Sequence, residues 1–196
     1  MPAVAASCLK ESGTTTVEGQ LVDATTGQPV PYGQVTLHAR SVGSSSGGYG
    51  TLEEHTADAD GNFSFKFDAS SGIDYKVDGY KINYYYGAHE DGETIKGGRR
   101  IKNLSVKLKP MAFVRYHIQD VDSLGYNGAG LNATLCNVSE RNFTSQATDT
   151  SIVCSEFGNQ EINIAWYRFE GGPAVKMYNM GIYLPAHDTT TVNINF

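Results

Sequence analysis

Apolar and polar residues alternate along most of this chain with a period of two. The alternation is clearest at 192–196, where Val192, Ile194 and Phe196 are separated by two asparagines. Successive side chains of a strand point to opposite faces, so this pattern is typical of a strand with one buried face. No run of apolar residues with helical spacing extends beyond about two turns. The pattern therefore predicts a chain built from strands.

The predicted strands form two series. The first comprises 17–22, 34–41, 50–57, 62–69, 74–77, 80–86 and 103–108, and the second comprises 112–120, 131–138, 150–156, 160–169, 175–184 and 190–196. Pro110 separates the series, because proline cannot donate the backbone hydrogen bond that a central strand needs. A small β-sandwich needs about 80–100 residues, so two fit. We expect a tail at 1–15, a β-sandwich at 16–110 and a second at 111–196.

Two features recur in both series and suggest a degenerate internal duplication. A strand that ends in Asp23, a glycine turn at Gly27 and a further strand in the first series are matched by Asp120, Gly125 and the strand that follows. Both series also finish on an alternating strand. The alternative is one continuous larger β domain.

The first series contains a more specific motif. Residues 16–31 are TVEGQLVDATTGQPVP and residues 56–67 are TADADGNFSFKF, in which Asp60-Gly61 is a strong hairpin signal. This combination resembles the carboxypeptidase regulatory-like domain, a small β-sandwich of the transthyretin or prealbumin type. The matching residues are Val17, Gly19, Val22, Asp23, Thr26, Gly27, Pro29, Val30, Pro31, Val35, Leu37, Thr56, Asp58, Asp60, Gly61, Phe63 and Phe65.

The resemblance implies a fold and a kind of function. It implies an all-β chain of two small antiparallel β-sandwiches in tandem, the first prealbumin-like and the second prealbumin-like or immunoglobulin-like. Domains of this family accompany enzymes and receptors and are rarely the catalyst. We therefore expect a module without catalytic residues, cofactor or metal.

Composition and charge narrow the class of partner. The chain has 196 residues, of which 18% are charged, and its net charge of −6 disfavours nucleic acid as a partner. The one basic cluster, KGGRRIK at 96–102, contains a glycine pair and is interpreted as a solvated loop. We expect a protein or a glycan at the cell surface as the partner. The sequence does not indicate an oligomeric state.

The residues before Cys8 indicate export. Ala5, Ala6 and Ser7 precede this cysteine, which resembles the end of a bacterial lipoprotein signal, although the cationic start and full apolar segment of such a signal are missing. The alternative is an ordinary cysteine in a tail. Lipidation of Cys8 predicts a protein of the cell envelope or outer-membrane surface, held at the membrane through its lipid alone.

The other two cysteines, Cys136 and Cys154, are predicted to lie in strands. An oxidising exported compartment favours a disulfide between them. Two buried free thiols are the alternative.

Motifs of the common hydrolases are missing from the sequence. None of the five histidines is followed three residues later by glutamate, so the zinc motif of the carboxypeptidases is absent. The transthyretin-like hydrolases carry a C-terminal Tyr-Arg-Gly-Ser signature, whereas Tyr167-Arg168 is followed by Phe169 here. A hydrolase would still require at least two histidines to converge with an arginine or a serine.

A run of aromatic residues is the predicted binding surface. Tyr80, Tyr84, Tyr85 and Tyr86 occur on a predicted strand, with His89 close by. Exposed tyrosines offer an apolar face and a hydroxyl group, which suit a sugar ring or a protein partner. Packing within the sheet is the alternative.

Five Asn-x-Ser/Thr tripeptides occur, beginning at Asn62, Asn103, Asn132, Asn137 and Asn142. In a bacterial protein they indicate polar strand edges. In a secreted eukaryotic protein they would be glycosylation sites. A third function also follows from the strands: a structural subunit that docks or polymerises by edge-strand pairing, with 190–196 as the docking strand.

Overall fold

The computed structural model describes residues 12–42, 48–84, 92–119, 128–133, 138–144, 149–169 and 174–195. All regular structure in these ranges is β-strand, which confirms the all-β prediction. No stretch of the described chain forms a helix that could span a membrane.

Fourteen strands are described. They are β1 (Gly13–Asp23), β2 (Gln34–Ser41), β3 (Gly50–Thr56), β4 (Asn62–Ala69), β5 (Ile73–Tyr80), β6 (Glu93–Ile95), β7 (Arg100–Leu108), β8 (Met111–Gln119), β9 (Gly128–Ala133), β10 (Val138–Thr144), β11 (Asp149–Phe157), β12 (Gln160–Phe169), β13 (Ala174–Leu184) and β14 (Thr189–Asn195). The chain divides into two compact units between Lys109 and Pro110.

The first unit contains two sheets that share one core. One sheet has the order β4-β1-β7 and the other has the order β3-β2-β5-β6. Alternation in β4 shows how the core forms, because its three phenylalanines are buried while the intervening polar residues are exposed. The core includes Val17, Leu21, Val35, Leu37, Phe63, Phe65, Phe67, Tyr75, Val77, Ile95, Val106 and Leu108.

The second unit repeats this topology strand for strand. Its sheets have the orders β11-β8-β14 and β10-β9-β12-β13, so β8 to β14 correspond in turn to β1 to β7. Its core includes Ala112, Val114, Tyr116, Ile118, Leu131, Cys154, Ile164, Leu184, Val192 and Ile194. Trp166 packs against this core.

One strand pair in each unit is parallel, which the sequence did not predict. The last strand of each unit pairs with the first, as β1 with β7 and β8 with β14. A parallel pair requires a long connection, and the five intervening strands provide it. The other described strand pairs are antiparallel.

The tail is shorter than predicted. The strand β1 begins at Gly13, inside the predicted tail 1–15, and Thr14 and Thr15 pair with Asp68 and Phe67 of β4. Threonine is β-branched and fits a pleated, half-buried surface, which explains why the strand extends to these residues.

The predicted strands 80–86 and 131–138 are wrong in their bounds. β5 ends at Tyr80, after which the backbone N–H of Tyr84 donates to the carbonyl of Lys81 across a turn. Asn83 lies in the left-handed region with φ 69°, a conformation that asparagine tolerates better than most residues. The described part of 131–138 belongs to two strands, β9 and β10.

Candidate functional site

An open groove of about 420 Å³ lies along the outer face of the β4-β1-β7 sheet. Six polar side chains line it, and Gly19, Phe63 and Leu104 complete the lining. We call this the polar groove. Its polar residues are Glu18 and Gln20 on β1, Asn62 and Ser64 on β4, and Asn103 and Ser105 on β7.

Strand periodicity brings these six residues to one face. Residues two apart on a strand share a face, so each Asn-x-Ser tripeptide presents an amide and a hydroxyl together. The register then aligns them, since Gln20 pairs with Asn62 on one side and with Ser105 on the other. Glu18 pairs with Ser64. The groove therefore contains a carboxylate, three amides and two hydroxyls on adjacent strands.

A β-bulge shapes the β7 side of the groove. Val17 pairs with Ile101 whereas Gly19 pairs with Leu104, so β7 carries one extra residue here. Asn103 takes up this residue with φ 58°, in the left-handed region. Gly19 has no side chain, and a Cβ atom there would overlap the carbonyl oxygen of Leu104.

Electrostatics keep the carboxylate of the groove ionised. An oxygen of Glu18 lies 2.6 Å from a guanidinium nitrogen of Arg100. The hydrogen bond from Arg100 lowers the pKa of Glu18, and the positive charges of Lys102 and Lys66 act in the same direction. Glu18 is therefore an acceptor at neutral pH. Gln20 donates from Nε2 to the carbonyl of Asp60 at 2.8 Å.

The sequence predicts that the basic segment 96–102 is a solvated loop. In the structure, the last part of this segment is a strand. Arg100 and Lys102 belong to β7 and are exposed. They flank the polar groove because β7 is the direct parallel neighbour of β1.

The structure separates the described members of the predicted tyrosine surface. Tyr80 ends β5 and is 40% exposed. Tyr84 packs against the core of the first unit and bonds to Asp23. Burial, followed by the charge of Asp23 and this hydrogen bond, raises the pKa of Tyr84. Tyr85, Tyr86 and His89 lie outside the described residues.

The sequence did not indicate that two apolar residues next to this region are exposed. Tyr32 is 63% exposed and Ile82 is 70% exposed. The ammonium group of Lys81 donates to the carbonyl of Pro31 at 2.8 Å, and it lies 5.9 Å from the ring centre of Tyr32. An apolar residue in a turn has no strand periodicity to indicate its orientation, so the sequence pattern does not predict that these two residues are exposed.

Of the three cysteines, the structure describes Cys154 alone. It is buried in the core of the second unit and is disulfide-bonded. Cys8 and Cys136 lie outside the described residues. The pairing of Cys154 with Cys136 therefore stays a prediction, as does the lipidation of Cys8.

The described histidines have separate partners and do not form a shared site. His38 lies 2.8 Å from Asp78, His55 stacks on Phe65, His117 lies 2.6 Å from Asp149, and the backbone N–H of His187 donates to Met111. In the part of the chain that the structure describes, no three histidine, cysteine or acidic residues form a cluster able to hold a metal ion. The convergence that a hydrolase requires is therefore not seen among these four histidines.

The sequence matches no known protein family and no curated protein. Solved structures with similar coordinates include the Bacillus anthracis TIE protein, with 13% identity over 94% of this chain and 34% of that chain, and a TM-score of 0.40. The Streptococcal ancillary pilin has 16% identity, coverage of 93% and 62%, and a TM-score of 0.38. The shaft pilin SpaA from Lactobacillus rhamnosus GG has 9% identity, coverage of 94% and 97%, and a TM-score of 0.33.

This chain spans about a third of the length of the TIE protein. Similarities of this size carry no argument about function. The resemblance to the carboxypeptidase regulatory-like domain stays an interpretation of the sequence.

Proposed function

We propose that this chain is a non-catalytic binding module of the cell surface and that its ligand is a glycan. The polar groove is the observation that carries this proposal. A volume of about 420 Å³ falls within the range of small-ligand sites, which is about 300–1,000 Å³.

The chemistry of the groove favours a ligand rich in hydroxyl groups. Most small-ligand sites are lined mainly by apolar and aromatic residues. Here the six polar side chains supply both donors and acceptors on three adjacent strands, about 5 Å apart from strand to strand. A saccharide presents hydroxyl groups that donate and accept at similar intervals, so it can satisfy several of these side chains at once.

The state of Glu18 does not suit a general acid. A general acid must hold a proton near the working pH. The hydrogen bond from Arg100 lowers the pKa of Glu18 below its ordinary value, which is already acidic, so this carboxyl group has no proton to give at neutral pH. Glu18 is then suited to accept hydrogen bonds from ligand hydroxyls.

Export and lipid anchoring through Cys8 complete the proposed function. The small residues before Cys8 support this part of the proposal. Intact-mass measurement of the protein from its native host tests it. A mass that includes a diacylglyceryl group on Cys8 is expected, and an unmodified Cys8 in the membrane fraction contradicts anchoring.

A glycan array tests the proposed function. The purified chain should bind at least one glycan, and Ser64→Tyr should abolish the signal by filling the groove from an exposed position. Ser151→Tyr is the matched control, because Ser151 is an exposed serine of β11, the counterpart of β4 in the second unit. The absence of any binding signal on the array contradicts the proposal. So does an equal loss of binding signal in Ser64→Tyr and Ser151→Tyr.

Docking by edge-strand pairing is the second candidate function. β14 lies at the edge of its sheet, and on one face it buries Val192 and Ile194 in the core of the second unit. β13 is also an edge strand and is longer, with eleven residues against seven in β14. It suits docking better because Met177 and Tyr183 on it are 68% and 55% exposed.

Size-exclusion chromatography with light scattering distinguishes this second function. If β13 docks, the native chain should form larger species as its concentration rises. Lysine at Met177 and Tyr183 should then restore the monomer, whereas Val153→Lys on β11 should not. A monomer at all concentrations contradicts docking between copies.

A further inference from the structure

We infer that the polar groove selects an acidic saccharide, whose carboxylate or sulfate groups lie at the end of the groove near Thr16. The inference rests on the proposed function and names the class of its ligand.

A row of basic side chains crosses the sheet next to the groove. Thr16 of β1 pairs with Lys66 of β4 on one side and with Arg100 of β7 on the other. Strands are about 5 Å apart, so the two cations flank a strip about 10 Å wide. Lys66 and Arg100 are both exposed. This row adjoins the pair formed by Glu18 and Ser64, which belong to the groove.

Lys102 adds a third cation at the same end. It is exposed on β7 directly before the bulge residue Asn103. All three cations act on Glu18, which shows that they lie around the same carboxylate. Asp68 is exposed on the same face of β4, two residues from Lys66, so three positive and two negative charges leave a local net charge of +1, whereas the whole chain has a net charge of −6. An anion is therefore attracted here and repelled by the chain as a whole.

The other end of the groove is acidic on balance, which gives the ligand a direction, because two aspartates there outnumber Lys107, which is exposed on β7 two residues beyond Ser105. Asp58 and Asp60 lie in the hairpin before β4, and Gln20 contacts the backbone of Asp60. The carboxylate of Asp58 accepts hydrogen bonds from the backbone N–H groups of Asp60 and Asn62, so it remains within the turn. Anionic groups of a ligand are expected at the Thr16 end and its neutral hydroxyls at the hairpin end.

Arg100 can contact the ligand directly. Its guanidinium offers five N–H donors in a planar fork, and the ion pair with Glu18 joins NH2 to one carboxylate oxygen. A ligand carboxylate or sulfate can accept from the same guanidinium. An exposed ion pair contributes little to stability, so Arg100 can exchange between Glu18 and a ligand at low cost.

A pair of oligosaccharides that differ only in charge tests the inference. A hexamer of galacturonic acid and its fully methyl-esterified form have the same backbone, and titration calorimetry gives the affinity for each. The acid form should bind at least roughly tenfold more tightly at low salt, equivalent to about 1.4 kcal/mol. The difference should shrink as salt screens the exposed charges.

Substitutions of the lysines next to the groove test whether these residues cause the preference for the acid hexamer. Lys66→Gln combined with Lys102→Gln should weaken binding of the acid hexamer roughly three- to tenfold, as expected for two exposed charges. Arg115→Gln is the matched control, because Arg115 is exposed on β8, the counterpart of β1 in the second unit. No effect of the lysine variants, or an equal effect of Arg115→Gln, overturns the inference.

The outcomes separate the inference from the proposed function. Equal binding of both hexamers, or array signals from neutral glycans alone, overturns the inference and leaves glycan binding intact. No binding of either hexamer, together with a silent array, overturns both. Equal binding of poly-glutamate shows simple ion exchange and also contradicts glycan recognition.

Discussion

The carbonyl oxygen of Leu104 occupies the space that a side chain on Gly19 would need. The ring of Phe63 closes the same space, with its Cζ atom 2.6 Å from the position of a Cβ atom. Gly19 thereby allows β7 to approach β1 closely at the bulge.

Gly19→Ala should destabilise the first unit by about 1–3 kcal/mol, because a methyl group there overpacks the interior against backbone. Urea unfolding measures the change. Gly50→Ala is the control, since nothing lies within 4 Å of a Cβ atom at Gly50, and it should change stability by less than about 0.5 kcal/mol. Equal stability of the two variants contradicts the close approach of β7 at Gly19.

Asp23→Ala should cost about 1–3 kcal/mol, because Asp23 fixes the turn after β1. Its Oδ1 accepts from the backbone N–H of Thr25 at 2.8 Å and of Thr26 at 3.0 Å. Burial raises the pKa of Asp23, but hydrogen bonds from Thr25 and Thr26 outweigh it and hold the pKa below the ordinary value of 3.8.

The sign of this shift predicts the pH dependence. Because the folded pKa is lowered, the contribution of Asp23 is present above about pH 4 and is lost as the pH falls through the folded pKa. The stability difference between the native chain and Asp23→Ala should therefore narrow in acid. A difference that is constant from neutral pH to acid contradicts this role of the carboxylate.

The stability of the second unit should fall at alkaline pH because of Tyr116. Burial, followed by the charge of Glu156, raises the pKa of Tyr116 to about 12. The ordinary value is 10.0, so the stabilising contribution is complete below about pH 10 and is lost as the pH rises through about 12. Two pKa units correspond to about 2–3 kcal/mol.

Tyr116→Phe should remove most of this alkaline loss, as measured by urea unfolding between pH 9 and about pH 12. Tyr183→Phe is the control, because Tyr183 is 55% exposed. If both variants lose stability with pH as the native chain does, Tyr116 is not the titrating group.

The disulfide of Cys154 should stabilise the second unit. Peptide mapping without reduction should recover Cys154 joined to Cys136. Cys136→Ser should then lower stability by about 2–5 kcal/mol, whereas Cys8→Ser should leave it unchanged. Recovery of a Cys8–Cys154 peptide contradicts the predicted pairing.

Strand positions followed from the sequence wherever alternation was strong. β4 begins and ends where predicted, because apolar residues at every second position leave one register. β2 also has the predicted bounds, although four consecutive residues of it are buried. The same reasoning failed at 80–86. Tyrosine favours strands, but the left-handed backbone of Asn83 turns the chain after Tyr80, and strand propensity does not indicate that conformation.

The polar groove exists because β4, β1 and β7 are neighbours in one sheet. A single sequence does not reveal which strands are neighbours. Alternation predicts that β1 and β7 are strands, but it does not indicate that they pair in parallel. One signal was available: the Asn-x-Ser tripeptides at Asn62 and Asn103 each place an amide and a hydroxyl on one strand face. Only the register shows that both tripeptides flank Glu18 and Gln20.

Amide chemical-shift mapping tests the central claim most directly. The labelled chain is titrated with the saccharide that gives the strongest array signal. The largest shifts should fall on Glu18, Gln20, Ser64 and Ser105, and Ser64→Tyr should abolish them. Shifts confined to the region of Tyr32 and Ile82, or to the second unit, would contradict the polar groove as the ligand site.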